Sequence, residues 1–169
     1  MKNKTKLWLI FGPVICAVLL LMGILSLPWE RTFSKGSLFQ AAASQTTTVF
    51  KGKAMRQKAY KQGYVPFYGS SELSRFDNMH PTVLATKYKR DYMPFLLGGP
   101  GSQSLSQYLG MQGAASKKAV MIISPQWFTA EGQDPAAFTI YYSPLHAADF
   151  LLKAQDTEED RYAARRLLQ

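Results

Sequence analysis

Tyr64-Val65-Pro66-Phe67-Tyr68-Gly69-Ser70-Ser71-Glu72-Leu73 is a short apolar run that ends in a glycine and two serines. A run of this length reads as a strand, and a glycine at its end lets the backbone turn sharply. A serine hydroxyl is thereby held proud of a sheet, where a base can reach it. Two more apolar runs of strand length follow, at 92–97 and 119–123, so the three runs start 28 and 27 residues apart. A strand–helix–strand unit needs roughly 30 residues. The third run, Ala119-Val120-Met121-Ile122-Ile123, is apolar throughout rather than alternating, as a strand covered on both faces requires. These runs together predict an α/β fold with a parallel sheet.

The gaps between the runs carry helix signals. Pro81 suits a first helical position and Lys87, Lys89 and Arg90 suit a last turn, where cations meet unsatisfied carbonyls. Ser102 is placed to cap a helix whose Leu105, Tyr108 and Leu109 recur at helical spacing, with Gly110 and Gly113 weakening its far end. Ser143-Pro144 starts another helix, and Thr157-Glu158-Glu159-Asp160 is a capping-box pattern for a last one, which the chain leaves at Gln169 without a closing cap. Pro66 is the awkward residue, because proline cannot donate to a ladder and belongs at an edge or at a strand's start.

Lys2, Lys4 and Lys6 precede an uncharged stretch at 7–29, long enough to cross a bilayer as a helix of about 20 residues. It exceeds the h-region of a cleaved signal peptide, about 7–15 residues, and Leu27-Pro28-Trp29 makes a poor cleavage site. The expectation is an uncleaved transmembrane signal anchor at 1–29, amino terminus cytoplasmic, with the remaining residues outside the cell. Cys16 then faces lipid, and the external part has no disulfide. Residues 30–62 read as a partly helical stalk and 63–169 as an α/β domain. The net charge of +9 falls to +6 once the three amino-terminal lysines are set aside. This suits a site beside anionic lipid or an anionic wall polymer. Nucleic acid is excluded as a partner, because no recognition motif accompanies the charge.

A serine is a weak nucleophile until a base takes its proton and donors hold the oxyanion that forms. The donors follow from the other two strand ends. The second closes in Leu97-Gly98-Gly99-Pro100-Gly101-Ser102, where glycines bring the backbone close to a ligand, and the third in Ser124-Pro125-Gln126-Trp127, where Gln126 offers an amide. In a parallel sheet these ends share the carboxyl edge, so Ser71, Gly101 and Gln126 are expected to converge there. Each has a plainer use, as turn, tight connection and solvated loop residue. No base is evident. His80 precedes Pro81 and reads as an exposed flanking residue, and His146 reads as a packing or surface residue early in its helix. Glu72 adjoins Ser71, but neighbours in an extended segment point apart. No metal-ligand spacing or phosphate loop is present, and no cofactor is expected.

Gly69-Ser70-Ser71-Glu72-Leu73 resembles the first block of the SGNH (GDSL-type) hydrolases, with Ser71 at the nucleophile position. Leu97-Gly98-Gly99-Pro100-Gly101 resembles the second block, with Gly101 as backbone oxyanion donor. Ser124-Pro125-Gln126 falls at the third, where Gln126 replaces the family's asparagine with a side chain one methylene longer. Four strings together resemble the DltD family of D-alanine transfer proteins of Gram-positive bacteria: residues 67–74, Phe95-Leu96-Leu97-Gly98, residues 122–128 and residues 161–169. The resemblance implies an SGNH-like three-layer α/β/α fold and a role outside the membrane in bringing D-alanine to teichoic acid as an ester. It implies as partners a membrane-bound O-acyltransferase and a D-alanyl carrier protein. In that family the Asp-x-x-His pair completing the triad lies far downstream, so this chain reads as an amino-terminal part. The competing expectation is a non-catalytic, membrane-tethered binding or assembly protein for a carrier or an anionic wall polymer.

Overall fold

Alternation along three parallel strands sorts the apolar side chains of this chain onto two faces of one sheet. The computed structural model describes residues 2–26, 33–44, 47–114, 116–129, 131 and 134–169, in two units, Met1–Thr32 and Phe33–Gln169. In the larger unit the strands β1 (Tyr64–Tyr68), β2 (Met93–Leu97) and β3 (Val120–Met121) lie in the order β2-β1-β3. Both pairings are parallel, with Tyr68 opposite Leu97 and Met121. The strand–helix–strand spacing therefore did give a parallel sheet.

Tyr68, Phe95 and Leu97 point to one face. There they pack with Leu38, Ala41 and Ala42 of α2 (Lys35–Ser44), Val49 and Phe50 of α3 (Thr47–Lys51), and Ala59 and Tyr60 of α4 (Lys53–Lys61). Phe67 and Leu96 point to the other face, against Leu73, Val65 and Tyr92. Leu38 and Phe95 are fully buried, and side chains of that kind each contribute about 1.5–3 kcal/mol by leaving water. The stretch read as a stalk is thus mostly helical where described, and it supplies seven of the eleven buried residues of the core on that face of the sheet.

α5 (Pro81–Lys87) fills the first gap and α6 (Ser104–Met111) the second. The cap of α6 is Gln103 rather than the expected Ser102, since Ser102 turns inward and is buried. Further along come α7 (Pro135–Tyr141), α8 (Pro144–Lys153) and α9 (Glu158–Leu167). Ser143 Oγ accepts from His146 N in α8 and Thr157 Oγ1 accepts from Asp160 N in α9, as the capping patterns predicted. α9 ends at Leu167, with Leu168 N bonded to Ala164 O, so the chain does not stop within the helix. Leu109, Phe150 and Ala163 form a third cluster among α6, α8 and α9.

One expectation about the strands is corrected. The run at 119–123 is a two-residue strand with exposed side chains, Val120 at 39% and Met121 at 38%. It is an edge strand paired only to β1, so its continuous apolarity does not reflect cover on both faces. In the smaller unit, α1 (Lys2–Ser26) is a single helix containing Pro13, while 27–29 of the expected anchor fall outside the described residues. Among the described residues no helix is long and apolar enough to cross a membrane.

Candidate active site

Each strand leaves the sheet at the same edge, and the pairing fixes what the following loops can reach. Gly69 N donates to Leu97 O at 3.2 Å and Ile122 N donates to Tyr68 O at 2.8 Å, so β1 continues in ladder contact on both sides up to its glycine. Ser70 is buried, its Oγ donating to Gly99 O at 3.4 Å. Ser71 opens a 3-10 turn, Ser71–Ser74, and is exposed. Of the two serines, one is thereby consumed in fastening the loop and the other projects from it.

The turn is held from three directions. Glu72 Oε1 accepts from Ser70 N at 2.5 Å, so the carboxylate curls back over Gly69 instead of facing Ser71. A side chain at Gly69 would overlap that oxygen and sit 3.0 Å from Leu73 Cγ. Leu73 is fully buried below the turn. His80, expected to be exposed, is buried at 5%. Its Nδ1 accepts from Thr82 N at 3.3 Å and its Nε2 lies 3.2 Å from Leu73 O. A carbonyl only accepts and an amide N–H only donates, so the proton sits on Nε2. His80 therefore caps α5 and ties the serine turn to it.

The glycine loop after β2 approaches β1 most closely at Gly98, whose φ is +132°. A Cβ there would overlap Gly69 O and lie 2.7 Å from Gln107 Nε2. Gly101 is half-buried with φ +85°, and Ser102 N donates to Gly99 O at 2.9 Å. Gln107 of α6 joins the two loops, because its Nε2 donates to Gly69 O at 2.5 Å and to Ser102 Oγ at 2.6 Å. Sequence reasoning missed this residue. A glutamine at an inward-facing helical position, flanked by Leu105, Tyr108 and Leu109 on the same helix, was the signal available.

Gln126 lies in a second 3-10 turn, Pro125–Phe128, just beyond β3, and is exposed. Among the described residues no hydrogen bond joins its side chain to the serine turn. The loops of Ser71 and Gly101 are thus fastened together, while Gln126 shares only the sheet edge. A wide groove lies elsewhere, lined by Gln103, Tyr108, Met121, Phe138 and Tyr162 among others, and includes none of the three.

Neither histidine stands free for Ser71. Both ring nitrogens of His80 are engaged, and His146 of α8 is buried with Nε2 3.2 Å from Arg56 Nη2. Burial, then the Arg56 and Lys53 cations, push the His146 pKa down to about 4, against the opposing pull of Asp149. It is a neutral acceptor for the buried Arg56, whose Nη1 donates to Gly110 O at 2.5 Å.

These features define an α/β protein with a three-stranded parallel sheet, consistent with an SGNH-like fold, and with an exposed serine on a fastened turn at the carboxyl edge. The chain belongs to the DltD family, whose profile, described as DltD protein, matches residues 42–169. It is 46% identical over 168 residues to Protein DltD of Lacticaseibacillus rhamnosus, covering 96% of this chain and 40% of that protein. It is 35% identical over 167 residues to Protein DltD of Bacillus subtilis (strain 168), covering 94% and 43%. Against Protein DltD of Staphylococcus aureus (strain NCTC 8325 / PS 47) identity is 38% over 135 residues, covering 75% and 34%. The chain therefore spans about two fifths of the length of these relatives, or somewhat less.

Proposed function

We propose that this chain carries the nucleophile of a serine acyltransferase or esterase that takes part in the D-alanylation of lipoteichoic acid at the outer face of the cell membrane. The observation that carries the reading is the division of labour at 70–71. Ser70 is buried in a bond to the glycine loop, and Ser71, next to it, is exposed on a turn fastened by Glu72, His80 and Gln107.

In this reading Ser71 Oγ attacks the carbonyl carbon of a D-alanyl ester or thioester. The Oγ–carbon bond forms as the hydroxyl proton passes to a base, and collapse of the tetrahedral intermediate expels the alcohol or thiol, which takes that proton. Gly101 N–H, with the Gln126 amide, holds the developing oxyanion. The base and its orienting carboxylate, a histidine and an aspartate, belong to the part of the relatives' length that this chain does not cover. A D-alanyl carrier protein and a membrane-bound O-acyltransferase supply and share the acyl group. The exposed apolar side chains of α1, such as Leu19, Leu20 and Leu25, support attachment to the membrane, and the net charge of +9 supports work beside an anionic polymer.

Ser71→Ala, introduced in the gene in its own cell, should abolish D-alanine esters on teichoic acid while the protein is made at its usual level. Unchanged ester content would sink the assignment. A second reading, a tethered binding or assembly protein, is favoured by one fact: neither histidine offers a ring nitrogen to Ser71. It predicts that deleting residues 2–26 lowers ester content and that Ser71→Ala does not.

A further inference from the structure

Gln107 is reached by no solvent, and a carboxamide at that depth costs free energy unless its hydrogen bonds are made. Its nitrogen lies 2.5 Å from Gly69 O, 2.6 Å from Ser102 Oγ and 3.3 Å from Leu97 O. Two of these are carbonyl oxygens, which only accept, so the NH2 end must face the strand ends. The other end is left over, since Oε1 is buried without a hydrogen-bond partner among the described residues. An apolar side chain of similar size would avoid that cost.

The amide does what an apolar side chain cannot. One nitrogen gathers acceptors from two strand ends. Gly69 immediately precedes the serines, and Leu97 and Ser102 bracket the glycine loop. Gly69 O has no other hydrogen bond among the described residues. Gly98 leaves the space, for a Cβ at that position would lie 2.7 Å from the same nitrogen.

We infer that Gln107 is a positioning residue that sets the separation between the serine turn and the glycine loop through the three acceptors around its nitrogen. The inference rests on the proposal that Ser71 is the nucleophile and Gly101 an oxyanion donor, groups carried by those two loops. It acts through the Gly69 carbonyl and the Ser102 hydroxyl rather than on the reacting atoms. Nucleophile and oxyanion donor must be held in register, since a misplacement of about 1 Å costs about a hundredfold in rate.

Amide hydrogen exchange on the full chain tests the inference without using the reaction. In Gln107→Met, the amides of Ser70, Leu73 and Ser102 should exchange together about tenfold faster, the effect of one lost buried hydrogen bond. The amides of Leu84 and Ala147, bonded within α5 and α8, should change far less. In Gln107→Glu a neutral acid keeps one O–H donor and an ionised one keeps none. Its acceleration over the unaltered chain should be small at about pH 5 and grow by about pH 8. Three results would overturn the inference: unchanged exchange at both loops in the Met variant, equal acceleration throughout the sheet and helices, or a Glu variant without pH dependence. Ester content in cells separates the two ideas. Its survival in Ser71→Ala removes the nucleophile reading while the exchange pattern still stands, whereas its loss in Ser71→Ala and full retention in Gln107→Met overturns the positioning role.

Discussion

Gly98 is where the sheet edge has least room to give, and replacing it by alanine separates backbone strain from steric conflict. Its φ of +132° lies in a region that L-residues rarely adopt. An added Cβ would overlap Gly69 O, 2.9 Å from its carbonyl carbon and 2.7 Å from Gln107 Nε2. Gly69 belongs to the end of the central strand, so relief requires movement of paired backbone rather than rotation of a side chain. Gly63 supplies the control. Its φ is +86°, but nothing lies within 4 Å of an added Cβ. Gly63→Ala should therefore cost only the left-handed conformation, about 1–2 kcal/mol. Gly98→Ala carries about 1–3 kcal/mol of backbone strain and a further 1–3 kcal/mol or so of overpacking, a loss centred near 4 kcal/mol. Against a total stability of about 5–15 kcal/mol, that is a visible fraction. Urea unfolding of the full chain, followed by circular dichroism, measures both variants on one scale. If Gly98→Ala cost no more than Gly63→Ala, the close approach of the two strand ends would be refuted, and with it the fastening of the serine turn to the glycine loop.

The other predictions concern titrating groups away from that edge. The unfolded chain takes up a proton on His146 near the usual 6.5, whereas the folded chain does so only at about 4. His146 therefore leaves stability intact above about pH 6.5 and removes it as the pH falls from there toward 4, by up to roughly 3 kcal/mol at 1.36 kcal/mol per unit. In His146→Gln, which keeps an acceptor for Arg56, urea midpoints should vary less over that interval, and an unchanged slope would contradict the burial assigned to the ring. Tyr108 donates a hydrogen bond to Asp160, and that bond, followed by burial and the Asp160 charge, raises its pKa to about 12. Ultraviolet titration of Asp160→Asn should show one phenol moving down toward the ordinary value of about 10, and a titration curve identical to that of the unaltered chain would exclude the pair.

Local chemistry was legible wherever it is decided locally. Strand spacing gave the parallel sheet, and Ser143 and Thr157 gave two helix starts, because a cap needs only its own next residues. Ser102 shows the limit. It has the chemistry of a cap, but the glycine loop turns it inward to Gln107, and Gln103 takes the position instead. His80 fails as a surface residue for a similar reason. Its partner Leu73 O lies on the serine turn, and no spacing rule connects a turn's carbonyl to a histidine at the next helix. Gln107 was invisible because a polar residue on an apolar helical face looks like an interruption of the pattern until its acceptors, 38 and 10 residues away, are in place.

Pro66 shows how the fold absorbs a residue that the strand rules disfavour. It lies within β1, which is central in the order β2-β1-β3, where a missing N–H should break a ladder. Alternate residues of a strand turn their backbone groups toward opposite neighbours. Gly69 N bonds to Leu97 on the β2 side and Tyr68 O accepts from Ile122 on the β3 side. Counting back by two from Tyr68, the backbone groups of Pro66 face β3. That neighbour begins only at Val120, opposite Phe67, so no ladder bond is lost. The two-residue length of β3 and the proline in β1 therefore explain each other. The sheet is fully paired only toward its carboxyl edge on the β3 side, and that is the edge from which Ser71, the glycine loop and Gln126 all depart.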